Sequence, residues 1–134
     1  MAVTHSGSAL AAATDAVTTL LSTSALLKFR ATPSSVASPG AIVADLTLEA
    51  GVRGGFTAAN GTTGIATQGA IGSDTNADGG TIAFASLQTS GNTIHIHCAV
   101  STTGSDINIT TGGLTVTAGD TVAVSALTYK AINA

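Results

Sequence analysis

The apolar pattern of the chain changes period once. Over Thr4 to Thr23, Leu10, Ala13, Val17, Leu20 and Leu21 recur three and four residues apart. That spacing draws one narrow stripe along a helix. Ser6 or Ser8 can cap its start by accepting a backbone N–H, and Ser22, Thr23 and Ser24 weaken its end. A stripe this poor in bulk needs a surface to lie on, either the chain's own sheet or a neighbouring subunit. From Leu26 onward the period is two. Leu27 and Phe29 point one way, Lys28 and Arg30 the other. After a Pro/Ser loop, Pro33 to Gly40, a strand follows with Ile42, Ala44, Leu46 and Leu48 on one face and Asp45 and Thr47 opposite.

Gly51 to Gly80 is a long Gly/Ala/Thr region with one expected strand at Gly64 to Ile71. A loop of this length in a small domain is usually functional or ordered by a neighbour. Thr81 to Leu87 and Thr93 to Val100 then read as a hairpin across Gln88 to Asn92, with Ile94, Ile96, Cys98 and Val100 facing inward. Asp106 to Thr110, Leu114 to Thr117 and Thr121 to Tyr129 read as the last strands, separated by turns at Thr111 to Gly113 and Ala118 to Asp120. The expected fold class is all-β: a small β-sandwich or jelly-roll-like barrel with one N-terminal helix. Residues 1–24 form the arm and helix, and residues 25–134 the β-sandwich, within a single domain overall.

Composition sharpens this picture. Only 8% of the 134 residues are charged while 44% are hydrophobic, against roughly 25% charged in an ordinary soluble domain. A lone monomer so poor in charge is hard to keep dispersed. The balance suits a protein packed against neighbours, and abundant Thr gives hydrogen-bonding capacity without charge. Lys28, Arg30, Arg53 and Lys130 are the only fixed cations and net charge is −3, so a nucleic-acid footprint is not expected. Neither a membrane span nor a signal peptide is read from the chain. A single cysteine, Cys98, precludes an internal disulfide.

Three stretches resemble the decoration (cement) proteins of tailed-phage heads. These are the opening Met-Ala-Val-Thr with its Ala/Asp/Val helix (Met1 to Leu21), the strand from Ala41 to Leu48 ending Leu-Thr-Leu, and the run from Gly104 through Asp106-Ile-Asn-Ile and Val116-Thr-Ala-Gly-Asp-Thr-Val to Leu127-Thr-Tyr129. Asp106 to Tyr129 carries most of the weight. The middle of the chain, Gly51 to Gly80, is thinner in bulk than in members of the family. The resemblance implies a virion protein on the capsid exterior, assembled in the host cytoplasm. It implies binding to the major capsid protein, and no catalytic residues.

Candidate chemistry is sparse. Asp74, Asn76 and Asp78, followed by Gly79, have the spacing that opens a calcium loop. The twelfth position is Ala85, not Glu, and these are also ordinary turn residues. His95 and His97 place two imidazoles on one strand face, half of a metal site. No Glu follows at cupin spacing, and Cys98 points the other way. No Gly-x-Ser-x-Gly elbow and no paired carboxylates stand out. The sequence therefore predicts no cofactor, no metal beyond these weak candidates, and no enzyme. It predicts a homo-oligomer, expected to be a trimer, that binds and stabilises the assembled shell without nucleic acid or membrane. The N-terminal segment, through Leu10, Ala13, Val17, Leu20 and Leu21, is the expected contact. A tail or head–tail connector component and a glycan-binding virion module are the alternatives. A cupin-type enzyme is the weakest reading.

Overall fold

The computed structural model describes residues 3–131, so Met1 and Ala2 of the family-like opening lie outside the described residues. One helix, α1 (Gly7–Leu20), precedes β1 (Ala25–Arg30), β2 (Ile42–Leu48), β3 (Ala66–Thr67), β4 (Ile71–Gly72), β5 (Gly80–Thr81), β6 (Phe84–Thr89), β7 (Ile94–Ser101), β8 (Ile107–Asn108), β9 (Thr115–Val116) and β10 (Thr128–Tyr129). Six strands form one sheet in the order β4-β2-β1-β6-β7-β8, curled into half a barrel. Two small two-stranded pairs, β10 with β3 and β5 with β9, accompany it.

The expected β1 and β2 and the β6–β7 hairpin are present, and their registers explain what is buried. Leu27 pairs across with Leu46 and Leu87, and Phe29 with Ala44 and Ala85. These side chains share one sheet face and anchor the hydrophobic core. The register slips between Phe29 and Arg30, so Arg30 sits opposite Ile42 and Val43 becomes an extra residue. Val43 is fully buried in consequence, while Ile42, the expected inward residue, is only half-buried. The strand expected at Gly64 to Ile71 is divided at Gly69 into β3 and β4, and those expected after Asp106 are reduced to two residues each, in β8, β9 and β10.

The second face of β1 departs furthest from simple alternation. Lys28 and Arg30 lie in the middle of the sheet and are 7% and 5% exposed. Arg30 donates from Nε to Ser86 Oγ at 3.0 Å, from one terminal nitrogen to the Gly40 carbonyl at 3.0 Å, and from the other to Gln88 Oε1 at 3.0 Å. Gln88 Nε2 donates to Asn92 Oδ1 at 3.0 Å, and Lys28 Nζ lies 3.2 Å from Asp45 Oδ2. Burial pulls the Arg30 guanidinium below its ordinary pKa and the nearby Asp45 charge opposes the shift. An arginine of this kind stays charged, so its neutral acceptors are what make the burial tolerable.

The long region after β2 is ordered by the chain itself. Ser6 caps α1 by accepting from Ala9 N–H at 3.2 Å. The buried residues of α1 are Leu10, Ala11, Thr14 and Thr18. Thr14 Oγ1 donates to the Gly64 carbonyl at 2.6 Å and accepts from Ala131 N–H at 3.1 Å. Asp15 Oδ1 accepts from Ala59 N–H at 2.8 Å and pairs with Arg53 at 3.6 Å. Gly64, at φ +71°, brings its backbone so close to Leu10 that a Cβ there would collide with the leucine side chain. Small residues on both partners thus let helix and loop touch along their backbones. Replacing Thr14 by Val leaves the Gly64 carbonyl and Ala131 N–H without their partner. Chemical denaturation of T14V is expected to read a loss of about 2–3 kcal/mol, most of it restored in T14S. Equal midpoints for T14V and the native chain would contradict this role.

Candidate functional site

The residues expected to make contacts are divided by the fold. Leu10 and Leu21 are buried in the chain's own structure. Ala13 and Val17 are half-buried, and Leu20 is 54% exposed. Leu20 therefore carries most of the apolar surface that α1 leaves free. The turn 51–54 lies beside this helix end, with Gly51 N–H donating to Thr23 O and Gly54 N–H to Ser22 O, and it presents Val52 at 69% exposure.

The candidate metal ligands are occupied or apart. Asp74 accepts from Asp45 N–H at 2.9 Å and from Asn76 N–H at 3.0 Å, so both carboxylate oxygens serve the backbone. Asp78 and Asn76 are exposed. His97 stacks on Phe84 with ring centroids 5.2 Å apart and lies 2.9 Å from Ser34 Oγ. The ladder slips between Leu87 and Gln88, which leaves His95 as the unpaired residue of a bulge and interrupts the alternation that placed it with His97. Among the described residues, no group of three His, Cys, Asp or Glu gathers within reach of one metal ion. The same economy holds for other acids. Glu49, Asp106 and Asp120 each accept a backbone N–H, from Ala70, Ala99 and Thr117 respectively.

Two features that the sequence did not reveal are candidates for function. The first is the segment 104–131, which packs over the aliphatic face of the sheet without closing on it. Ile107, Ile109, Leu114, Val116, Val122, Val124, Leu127 and Tyr129 all touch the core yet stay half-buried. Between them and the sheet lie two half-open clefts, one of about 390 Å³ reaching Leu27 and Phe29, and one of about 470 Å³ reaching Ile96 and Cys98. Of the inward face expected of β7, Ile96 and Cys98 border this space and are half-buried and Val100 is buried, whereas the slip sets Ile94 opposite Gln88, on the other face of the sheet. The alternating pattern of 104–131 gave no hint of this, since a half-covered strand and a covered one read alike.

The second is the distribution of charge. Lys28 and Arg30 are buried, and Arg53 and Lys130 half-buried, whereas Asp45, Glu49, Asp78, Asp106 and Asp120 are exposed. The described surface therefore carries carboxylates and almost no positive charge. The signal was present in β6, where Ser86 and Gln88 stand two apart on the face shared with Lys28 and Arg30. Polar residues inside an otherwise apolar strand mark acceptors for a buried cation.

Cys98 is chemically quiet. Burial pushes its thiol up from 9.0 to about 11, with the charge of Asp106 acting in the same direction. Its folded pKa lies above the unfolded value, so the neutral thiol stabilises the fold below about pH 9 and that contribution is lost as pH rises through about 11. Alkylation at pH 8 is expected to run roughly 100-fold slower than for a free thiol. A C98A variant is expected to lose less stability than the native chain between pH 9 and 11. Fast alkylation at pH 8 would show an open, ionised thiol instead. No protein-family profile, curated protein or solved structure matches the chain.

Proposed function

We propose that the protein is a decoration (cement) protein of a tailed-phage head, binding the assembled shell as a trimer. The supporting observation is the half-covered C-terminal segment. An aliphatic layer that touches the core, borders half-open clefts of about 390 and 470 Å³ and remains half-exposed is a surface that a sister copy can complete. On this reading the half-barrel sheet, with β8 at its edge, and the segment 109–131 are the two layers of a β-sandwich or jelly-roll-like barrel, finished by oligomer contacts. The resemblance of Asp106 to Tyr129 to head decoration proteins falls on this same segment.

Charge supports the reading from another side. Exposed carboxylates with cations drawn inward repel phosphate, so nucleic acid is a poor partner. Binding that favours the closed lattice over its opened form stabilises the shell by mass action. A glycan-binding module fits less well. Phe29 and Phe56 are buried, Phe84 is stacked on His97, and Tyr129 is half-buried against Phe56, which leaves no aromatic platform among them.

Quantitative mass spectrometry of purified virions is expected to count hundreds of copies per particle, and sedimentation of the free protein a species of three chain masses. Six or twelve copies would assign it to the connector or tail, and absence from particles would reject a virion role.

A further inference from the structure

We infer that Asn60 is a self-modification site: the Gly61 nitrogen attacks its side-chain amide, and the isoaspartate that results slowly and irreversibly loosens the contact between α1 and the loop 57–65. The inference stands apart from the shell-binding reading and needs no partner.

Asn60 is the only asparagine of the chain followed by glycine. Asn76, Asn92, Asn108 and Asn133 precede Ala, Thr, Ile and Ala. A glycine nitrogen has no Cβ beside it to obstruct its approach to the preceding side chain. The local turn adds to this. Asn60 Oδ1 accepts from Thr62 N–H at 2.8 Å and from Thr63 N–H at 3.1 Å, which folds the side chain forward over the Gly61 peptide. The same two donors sit where negative charge develops on Oδ1 once Cγ is attacked, the arrangement of an oxyanion hole. Asn60 and Gly61 are exposed, and Gly61 N–H donates to no described residue, so water and hydroxide reach both.

The reaction is complete with solvent alone. Hydroxide removes the Gly61 amide proton, and the nitrogen bonds to Asn60 Cγ at the high effective concentration of an intramolecular neighbour. The Cγ–Nδ2 bond breaks and ammonia leaves. Water then opens the succinimide ring. Breaking the original peptide bond frees the Asn60 carbonyl carbon as a carboxylate and sends the chain through Cβ and Cγ, which is isoaspartate. Breaking the new bond gives ordinary aspartate. Either product exchanges a neutral amide for a carboxylate.

The fold decides what the longer chain does. Two bonds tie α1 to this loop, one on each side of the reacting pair: Asp15 Oδ1 accepts from Ala59 N–H at 2.8 Å, and Thr14 Oγ1 donates to the Gly64 carbonyl at 2.6 Å. Between them the Asn60 carbonyl accepts from Gly64 N–H at 2.7 Å. In isoaspartate that carbonyl is a charged side group and Oδ1 belongs to the main chain, so the acceptors for Thr62, Thr63 and Gly64 exchange roles. There is no slack on the helix side, because a Cβ on Gly7 would already collide with the Gly61 carbonyl and the Thr62 backbone. The extra backbone atom is therefore accommodated by parting helix and loop.

Native chain, G61A and N60D are aged in mildly alkaline buffer. Conversion at each asparagine is read by peptide mass spectrometry and by an isoaspartyl carboxyl methyltransferase, and the docking of α1 by amide hydrogen exchange. G61A is sterically clean, since a Cβ there meets open space and Gly61 has no left-handed φ. Asn60 is expected to convert at least about tenfold faster than each other asparagine, and G61A to slow it at least about tenfold. The isoaspartyl form is expected to lose exchange protection over α1, whereas N60D, with the same charge and no added backbone atom, keeps it. Conversion of Asn60 no faster than of the other asparagines, or unslowed in G61A, would overturn the site. Native protection of α1 in the isoaspartyl form, or an equal loss in N60D, would overturn the loosening by a lengthened chain.

Discussion

The guanidinium of Arg30 sets the terms for the rest of the molecule. It lies in the central strand, on the sheet face away from the aliphatic core, and all its nitrogens meet neutral acceptors within 3.0 Å. A buried cation without a matching carboxylate in contact is costly, and removing any acceptor makes it costlier. Ser86, Gln88 and the Gly40 carbonyl are therefore fixed in place by it. Through Gly40 the loop 31–41 is fixed too, and through Gln88 the hairpin turn at Asn92. One face of the sheet is organised by polar geometry and the other by aliphatic packing.

The two faces consequently have different mechanical character. Hydrogen bonds specify distance and direction, so the Arg30 face holds its covering loop in one conformation. The aliphatic face has few large side chains to offer, and the segment 109–131, with its two-residue strands β9 and β10, covers it loosely. With three Phe, one Tyr and no Trp in the whole chain, little bulk is available to fill the space beneath them. The sheet thus has one face held by directional bonds and one covered loosely by aliphatic side chains.

Much of the sheet was legible in the sequence because Leu27, Phe29, Leu46 and Leu48 alternate with polar residues and the turns at Gln88 to Asn92 and Ala118 to Asp120 use strong turn formers. The burial of Lys28 and Arg30 was not legible, since alternation assigns charged residues to water by default. The inward face of α1 was legible only in part. Of the expected stripe Leu10, Ala13, Val17, Leu20 and Leu21, the structure buries Leu10 and Leu21, but it also buries Ala11 and, unforeseen, Thr14 and Thr18, whose hydroxyls find carbonyl partners at Gly64 and Thr14. Hydrophobic periodicity does not see a threonine that is buried for its hydrogen bond. The bulge at Val43 and the slip at His95 were equally hidden, because register depends on the partner strand. The pattern was least informative after Asp106, where strands of two residues do not declare which side they leave open.

Thr14 gives the fold an unusual kinetic shape. Its single hydroxyl joins a carbonyl 50 residues away to an amide 117 residues away. Such partners meet only after most of the chain has been brought together, and the entropy of closing those loops is spent before the bond rewards it. The docking of the helix, although it is first in the sequence, should then be among the last events, locking the crossing loop and the segment leading to Ala131 in one late cooperative step.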